Sequence, residues 1–291
     1  VIPLAGFTRS RVAVTGTDIA VAVAGTGPPL LLLHGFPQTM AMWHRVAPLL
    51  AEHFTVVCAD LRGYGDSGRP ASGPDHAGYS KRAMAQDQVE VMSSLGFDRF
   101  AVAGHDRGGR VARRMALDHP ERVAALAVLD IVPTATVFAT TDQALATAYY
   151  HWFFLIQPDG LPERMIGADP RWWLRETLRH WAAPGFTFDP GAMAEYERAF
   201  DDPATIHAQC EDYRAAASID LVHDAADAGA RIGCPLMVLW GERGAMHRIY
   251  DVLDTWMDQG TDVRGRAIDA GHFLAEEAPD QTARELLGLL R

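Results

Sequence analysis

Cysteine is scarce in this chain, with Cys58, Cys210 and Cys234 the three present in 291 residues. Odd in number, widely spaced and set among apolar neighbours, they speak against a disulfide framework and predict buried thiols in a reducing cytoplasm. Positive charge is also short: 26 Lys and Arg face 37 Asp and Glu, for a formal net charge of −11. With no basic stripe or recognition motif to offset it, that balance argues against nucleic acid as a partner, and any anionic ligand must be attracted locally. No apolar run approaches membrane-spanning length, and Val1-Ile2-Pro3-Leu4 lacks a charged segment followed by an apolar one, so neither a membrane anchor nor a secretory leader is expected. Internal repeats and low-complexity segments are missing too. What is plentiful is apolar material, 48% of the residues, ample for a large core.

From residue 7 to about 132, short apolar runs alternate with helical patterns, which predicts an α/β fold with a mostly parallel sheet flanked by helices. Phe7 to Val14 and Ile19 to Val23 read as an opening hairpin. Leu30 to Leu33, Thr55 to Ala59, Phe100 to Ala103 and Ala124 to Leu129 read as parallel strands. After Pro133 the aromatic residues crowd together and the apolar spacing turns helical until Pro235 to Trp240, the next strand. Residues 134–226 are therefore predicted to be a helical cap inserted into a core domain made of residues 1–133 and 227–291. Arg264 to Ile268 supplies a last strand and Pro279 to Leu290 a closing helix.

Gly104-His105-Asp106-Arg107-Gly108 has the frame of a nucleophile elbow but lacks its serine. A serine there attacks acyl carbon. An aspartate attacks saturated carbon and becomes an ester that water must later hydrolyse. The preceding strand and a helix from Gly109 to His119 give the required order, and flanking glycines at elbow spacing make a mere helix-capping role for Asp106 the poorer explanation. The base that activates water should follow a strand near the carboxyl edge of the sheet, where His272 stands in Asp269-Ala270-Gly271-His272-Phe273.

The acid that orients such a histidine often occupies a G-x-x-D turn, but here the turn is Gly241-Glu242-Arg243-Gly244. Asp130, closing a buried strand where a lone carboxylate is costly without a partner, is the favoured substitute. Asp269 and Glu242 remain competitors. Backbone donors for the oxyanion are expected from Phe36, in His34-Gly35-Phe36-Pro37, and from Arg107. Arg107 and Arg110 lie three apart on the first turn of the elbow helix, a pairing that suits the carboxylate of an anionic substrate. Arg113 and Arg114, at least a turn further on, read as structural.

The run Gly104 to Arg110, together with Leu129-Asp130-Ile131-Val132-Pro133-Thr134 and Tyr150-His151-Trp152, resembles the fluoroacetate (haloacetate) dehalogenases of the α/β-hydrolase superfamily. The likeness covers nearly the whole chain. It implies an α/β-hydrolase fold in which Asp106 is the nucleophile, Asp130 the acid, His272 the base, and Arg107 and Arg110 the carboxylate-binding pair. It also implies that the departing halide is held by His151, Trp152 and, through Cys210-Glu211-Asp212-Tyr213-Arg214, by Tyr213; Tyr149, Tyr150 and Tyr196 are alternative cap tyrosines. The implied reaction takes haloacetate and water, with no metal or organic cofactor. Members of the family are often dimers, so a homodimer is compatible with the likeness. Two rivals share the fold: an epoxide hydrolase, which would use cap tyrosines and has no need of paired arginines, and a non-catalytic small-ligand receptor, against which an intact Asp106 and His272 argue.

Overall fold

The computed structural model describes residues 3–290. Thr8–Val14 (β1) and Thr17–Ala24 (β2) form the opening hairpin, and Pro29–Leu33 (β3), Thr55–Ala59 (β4), Phe100–His105 (β5), Val123–Leu129 (β6), Leu236–Gly241 (β7) and Val263–Ile268 (β8) complete the sheet. The eight strands run in the order β1-β2-β4-β3-β5-β6-β7-β8. β1 pairs antiparallel with β2 and β2 antiparallel with β4, whereas every other pairing is parallel.

The strand sequences explain this arrangement. Leu30 to Leu33, Val56 to Ala59 and the whole of β5 are buried, the continuous apolar pattern of parallel strands covered on both faces. β8, at the edge, instead alternates exposed Arg264 and Arg266 with less exposed residues. Helices such as Lys81–Ser94, Arg107–Asp118 and Pro279–Leu290 flank the sheet.

Register aligns the carboxyl ends of the central strands. Leu33 pairs with Gly104, His105 with Leu129, and Leu129 with Leu239. The residues that follow these strands, including Phe36, Asp106 and Asp130, consequently emerge at one edge, with neighbouring strands about 4.8 Å apart.

Between β6 and β7 the described chain is helical, from Thr134–Ala139 through Ile219–Ala226. Three of these helices begin with Asp-Pro: Asp169, Asp189 and Asp202 each accept backbone N–H bonds while the following proline occupies the first helical position. The carboxylate satisfies orphaned donors, and the proline's fixed φ suits that position. Among the described residues no helix is long and apolar enough to cross a membrane. The cysteines are free, Cys58 and Cys210 buried as expected but Cys234 only half-buried, because it precedes β7 rather than lying within the core. The elbow helix begins at Arg107, two residues before its predicted start.

Candidate active site

Asp106 sits at φ 45° and ψ −113° between β5 and the helix Arg107–Asp118. A non-glycine residue held there is strained, and close packing on both sides maintains it. A Cβ on Gly104 would come within 2.3 Å of the Gly108 carbonyl oxygen, and one on Gly108 within 2.4 Å of the His34 carbonyl oxygen. The flanking glycines are thus required by contact between backbones. Asp106 makes no side-chain capping bond to its helix. Its Oδ1 accepts the Phe36 N–H at 3.0 Å instead. Burial works against its negative charge, yet His272, Arg107 and Arg110 together hold its pKa below the usual carboxylate value.

On the other side of Asp106, His272 Nδ1 lies 2.6 Å from Asp130 Oδ2, and Asp130 Oδ1 accepts the Gly241 N–H at 2.9 Å. Of the three carboxylates weighed from sequence, Asp130 is the one beside the imidazole. Glu242 is exposed, and exposed Asp269 pairs with Arg243 at 2.5 Å. Burial would lower the His272 pKa, but the hydrogen bond and charge of Asp130, with Asp106 beyond, raise it above 6.5. An Nδ1–H given to Asp130 leaves Nε2 as the basic nitrogen, and Nε2 is buried without a hydrogen-bond partner among the described residues. His105 cannot compete as the base, because burial and the charge of His272 push its pKa down to about 3 and its Nε2–H donates to the His272 carbonyl at 2.8 Å.

The two arginines are held differently. Fully buried Arg107 forks onto Asp212, with Nε to Oδ2 at 3.0 Å and Nη2 to Oδ1 at 2.6 Å, and leaves Nη1 unpartnered among the described residues. Arg110 gives Nη1 to the Val132 carbonyl at 2.9 Å and Thr134 Oγ1 at 3.0 Å, and leaves Nε unpartnered among the described residues. Burial and the neighbouring Arg107 charge lower the Arg110 pKa to about 10. Arg113 and Arg114 point elsewhere, onto Asp224 at 2.8 Å and Asp227 at 2.6 Å.

His151, Trp152 and Tyr213 meet the arginines from the helical segment. The Arg107 guanidinium lies 4.2 Å from the Tyr213 ring centroid, and that of Arg110 4.6 Å from the Trp152 ring centroid. The His151 ring stacks on Phe36 at 6.0 Å, and the Tyr213 ring meets Phe36 edge-on at 5.1 Å. His151 Nδ1, Trp152 Nε1 and Tyr213 Oη are buried with no hydrogen-bond partner among the described residues. Native interiors seldom leave such groups unpaired. Of the other cap tyrosines, Tyr150 is exposed and Tyr196 donates to Glu276 at 3.1 Å, whereas Tyr149 has its ring 5.2 Å from that of His151 and shares a cavity wall with His272.

Sequence reasoning missed Asp212. Besides Arg107, its carboxylate receives Tyr64 Oη at 2.7 Å and Lys81 Nζ, the chain's single lysine, which also lies 3.5 Å from Asp220. Those cations hold Asp212 far below the usual carboxylate range despite burial. A carboxylate adjoining Tyr213 was the available signal.

The family model of the alpha/beta hydrolase fold matches residues 28–279. A fluoroacetate dehalogenase from a Burkholderia species is 51% identical over 97% of this chain and 93% of its own length. A soluble epoxide hydrolase from a Corynebacterium species is 34% identical over 94% of this chain and 93% of its own length. Among solved structures, a candidate alpha/beta hydrolase from a Nostoc species is 59% identical, covers 99% of each chain and superposes with a TM-score of 0.97.

Proposed function

The chain belongs to the fluoroacetate dehalogenase family of the α/β-hydrolase superfamily, and from that premise we propose that it hydrolyses fluoroacetate and related haloacetates to glycolate and halide. One observation carries this reading. Arg107 Nη1, Arg110 Nε, His151 Nδ1, Trp152 Nε1 and Tyr213 Oη are buried polar atoms without partners among the described residues; the arginines pack on Tyr213 and Trp152, and His151 and Tyr213 pack on Phe36, whose N–H donates to Asp106. A small anion that loses a second anion during reaction would employ both the guanidiniums and the uncharged donors. An epoxide has no carboxylate to engage paired guanidiniums, which favours the haloacetate reading over that rival.

In the proposed mechanism Arg107 and Arg110 hold the carboxylate and thereby position the α-carbon. Asp106 attacks that carbon opposite the carbon–halogen bond. The bond's electron pair leaves with the halide, toward His151, Trp152 and Tyr213. His272, oriented by Asp130, then removes a proton from water, which adds to the carbonyl of the Asp106 ester. Negative charge gathers on a carboxylate oxygen, where the N–H groups of Phe36 and Arg107 would receive it; Phe36 already donates to Asp106 Oδ1. On collapse His272 returns its proton to the leaving alkoxide oxygen, glycolate departs, and loss of the remaining carboxyl proton to solvent regenerates ionised Asp106. Residues 134–226 act as a cap domain that closes the site over the core.

The test compares fluoroacetate, chloroacetate and a styrene-oxide-type epoxide, measuring halide and diol. In a single turnover in heavy-oxygen water, the label should enter Asp106 before product, and His272→Asn should accumulate the ester, seen by intact-protein mass spectrometry. Diol without halide would transfer the protein to the epoxide hydrolases. First-turnover label in glycolate would refute the covalent route.

A further inference from the structure

With a net charge of −11, this molecule repels the anions its site is built to hold. A cavity of about 150 Å³ reaches His272 from outside and is lined by Tyr149, His180, Trp181, Arg243 and Arg248. Outside it lies an open basin of about 550 Å³, and Ala148, His180 and Arg248 border both spaces. Among the described residues, no carboxylate lines either one. The two arginines are not equivalent. Arg243 is paired with Asp269 at 2.5 Å. Arg248 is exposed, gives Nη1 to the Arg243 carbonyl at 2.8 Å, and has no carboxylate partner among the described residues. An uncompensated cation therefore stands where the basin narrows toward His272. Its position is continuous with the site, because Tyr149, on the same wall, has its ring 5.2 Å from that of His151.

We infer that the cavity and basin form a peripheral anion site, an antechamber in which Arg248 gathers small monocarboxylates before they reach Asp106; this rests on the haloacetate reading above. Low-dielectric walls concentrate the field of a charge at such a mouth, raising the local concentration of anions. Arg248 touches no reacting atom. It acts on the approach and binding of substrate, so its removal should appear in KM while kcat stays unchanged.

The experiment measures kcat and KM for fluoroacetate with Arg248→Gln, Arg248→Glu and Arg248→Lys at ionic strengths of about 10 mM and about 500 mM, where the screening length falls from roughly 30 Å to a few ångströms. At low ionic strength Arg248→Gln should raise KM about three- to tenfold, Arg248→Glu should raise it further, and Arg248→Lys should restore it. At high ionic strength the differences should collapse. A wild-type KM in the Gln and Glu variants at low salt, or equal increases at both salts, would overturn the proposal, as would failure of lysine to rescue. Acetate affinity, read from tryptophan fluorescence in the same proteins, separates this inference from the one beneath it. If wild-type protein releases no fluoride, the haloacetate reading fails. The antechamber then stands if Arg248→Gln weakens acetate binding at low salt and falls if it does not.

Discussion

Asp212→Asn keeps the shape of a buried side chain but removes the negative charge between two buried cations. Arg107 and Asp212 side chains are fully buried and that of Lys81 is 5% exposed, so solvent cannot supply the missing charge. The Arg107 fork to both carboxylate oxygens, at 3.0 and 2.6 Å, and the Lys81 contact would each lose their charged acceptor. Breaking a buried pair costs about 3–5 kcal/mol, chiefly because an uncompensated charge remains. Lys81, whose pKa burial and Arg107 already lower, can relieve part of that cost by losing its proton. Its pKa in the folded variant then lies below the unfolded value of roughly 10.4, so the deficit should be largest near neutral pH and shrink as pH rises through the folded pKa. Adding Lys81→Met should recover stability without recovering substrate affinity, since Arg107 would still lack the acceptor that orients it. Urea unfolding at pH 7 and 9.5 and KM from halide release measure the two effects. A loss below about 1 kcal/mol with unchanged KM would refute the assignment of Asp212 as the residue that positions Arg107.

Trp152→Phe deletes one unpartnered N–H while keeping most of the ring, and should raise the barrier for fluoroacetate more than for chloroacetate, by about 1–3 kcal/mol, because fluoride depends more on donors as it leaves; proportionate losses on both substrates would reduce Trp152 to packing. Gly35→Ala would set a Cβ 2.4 Å from Asp106 Cβ, so displacement of that side chain should cut halide release about 100-fold, and near-normal rates would contradict the packing argument. His272 must be neutral to accept a proton from water, and the hydrogen bond and charge of Asp130 raise its pKa against the effect of burial; the acid limb of the ester-hydrolysis step, followed in a single turnover, should therefore move down in Asp130→Asn, whereas an unmoved limb would oppose the assignment. Displacement by Asp106 does not use the base, so the displacement step should lack this limb, and a limb shared by both steps would contradict the two-step assignment.

The central strands were legible because burial on both faces demands uninterrupted apolar runs, and Leu30 to Leu33 and Phe100 to Ala103 provide them. The elbow was legible because backbone crowding at Gly104 and Gly108 leaves no room for a side chain, a local demand written into five consecutive letters. Asp130 could be favoured by the cost of burying it, but its preference over Asp269 and Glu242 becomes firm only in the register of β6 with β7 and the contact at 2.6 Å to His272. Asp212 and Arg248 were illegible for a different reason. Asp212 reaches Arg107 across 105 residues, and Arg248 shares a cavity with His180 and His272, so their roles depend on how separate segments pack together. Local pattern carries no record of such distances.

Gly244 occupies the place where a G-x-x-D turn bears its acid, and a Cβ added there would stand 3.5 Å from both carboxylate oxygens of Asp130. The end of β6 and the turn after β7 thus offer one carboxylate two alternative seats before the same imidazole, with the Gly241 N–H already bonded to whichever oxygen now fills the first. Both seats cannot be occupied by ionised groups, since two carboxylates at that spacing would force one to keep a proton. The histidine need not move when the acid changes strands. Exchange of the acid between neighbouring strands is consequently a change of two residues that leaves the sheet, the base and the elbow untouched, and the small residue at 244 is the mark of which seat this chain has left empty.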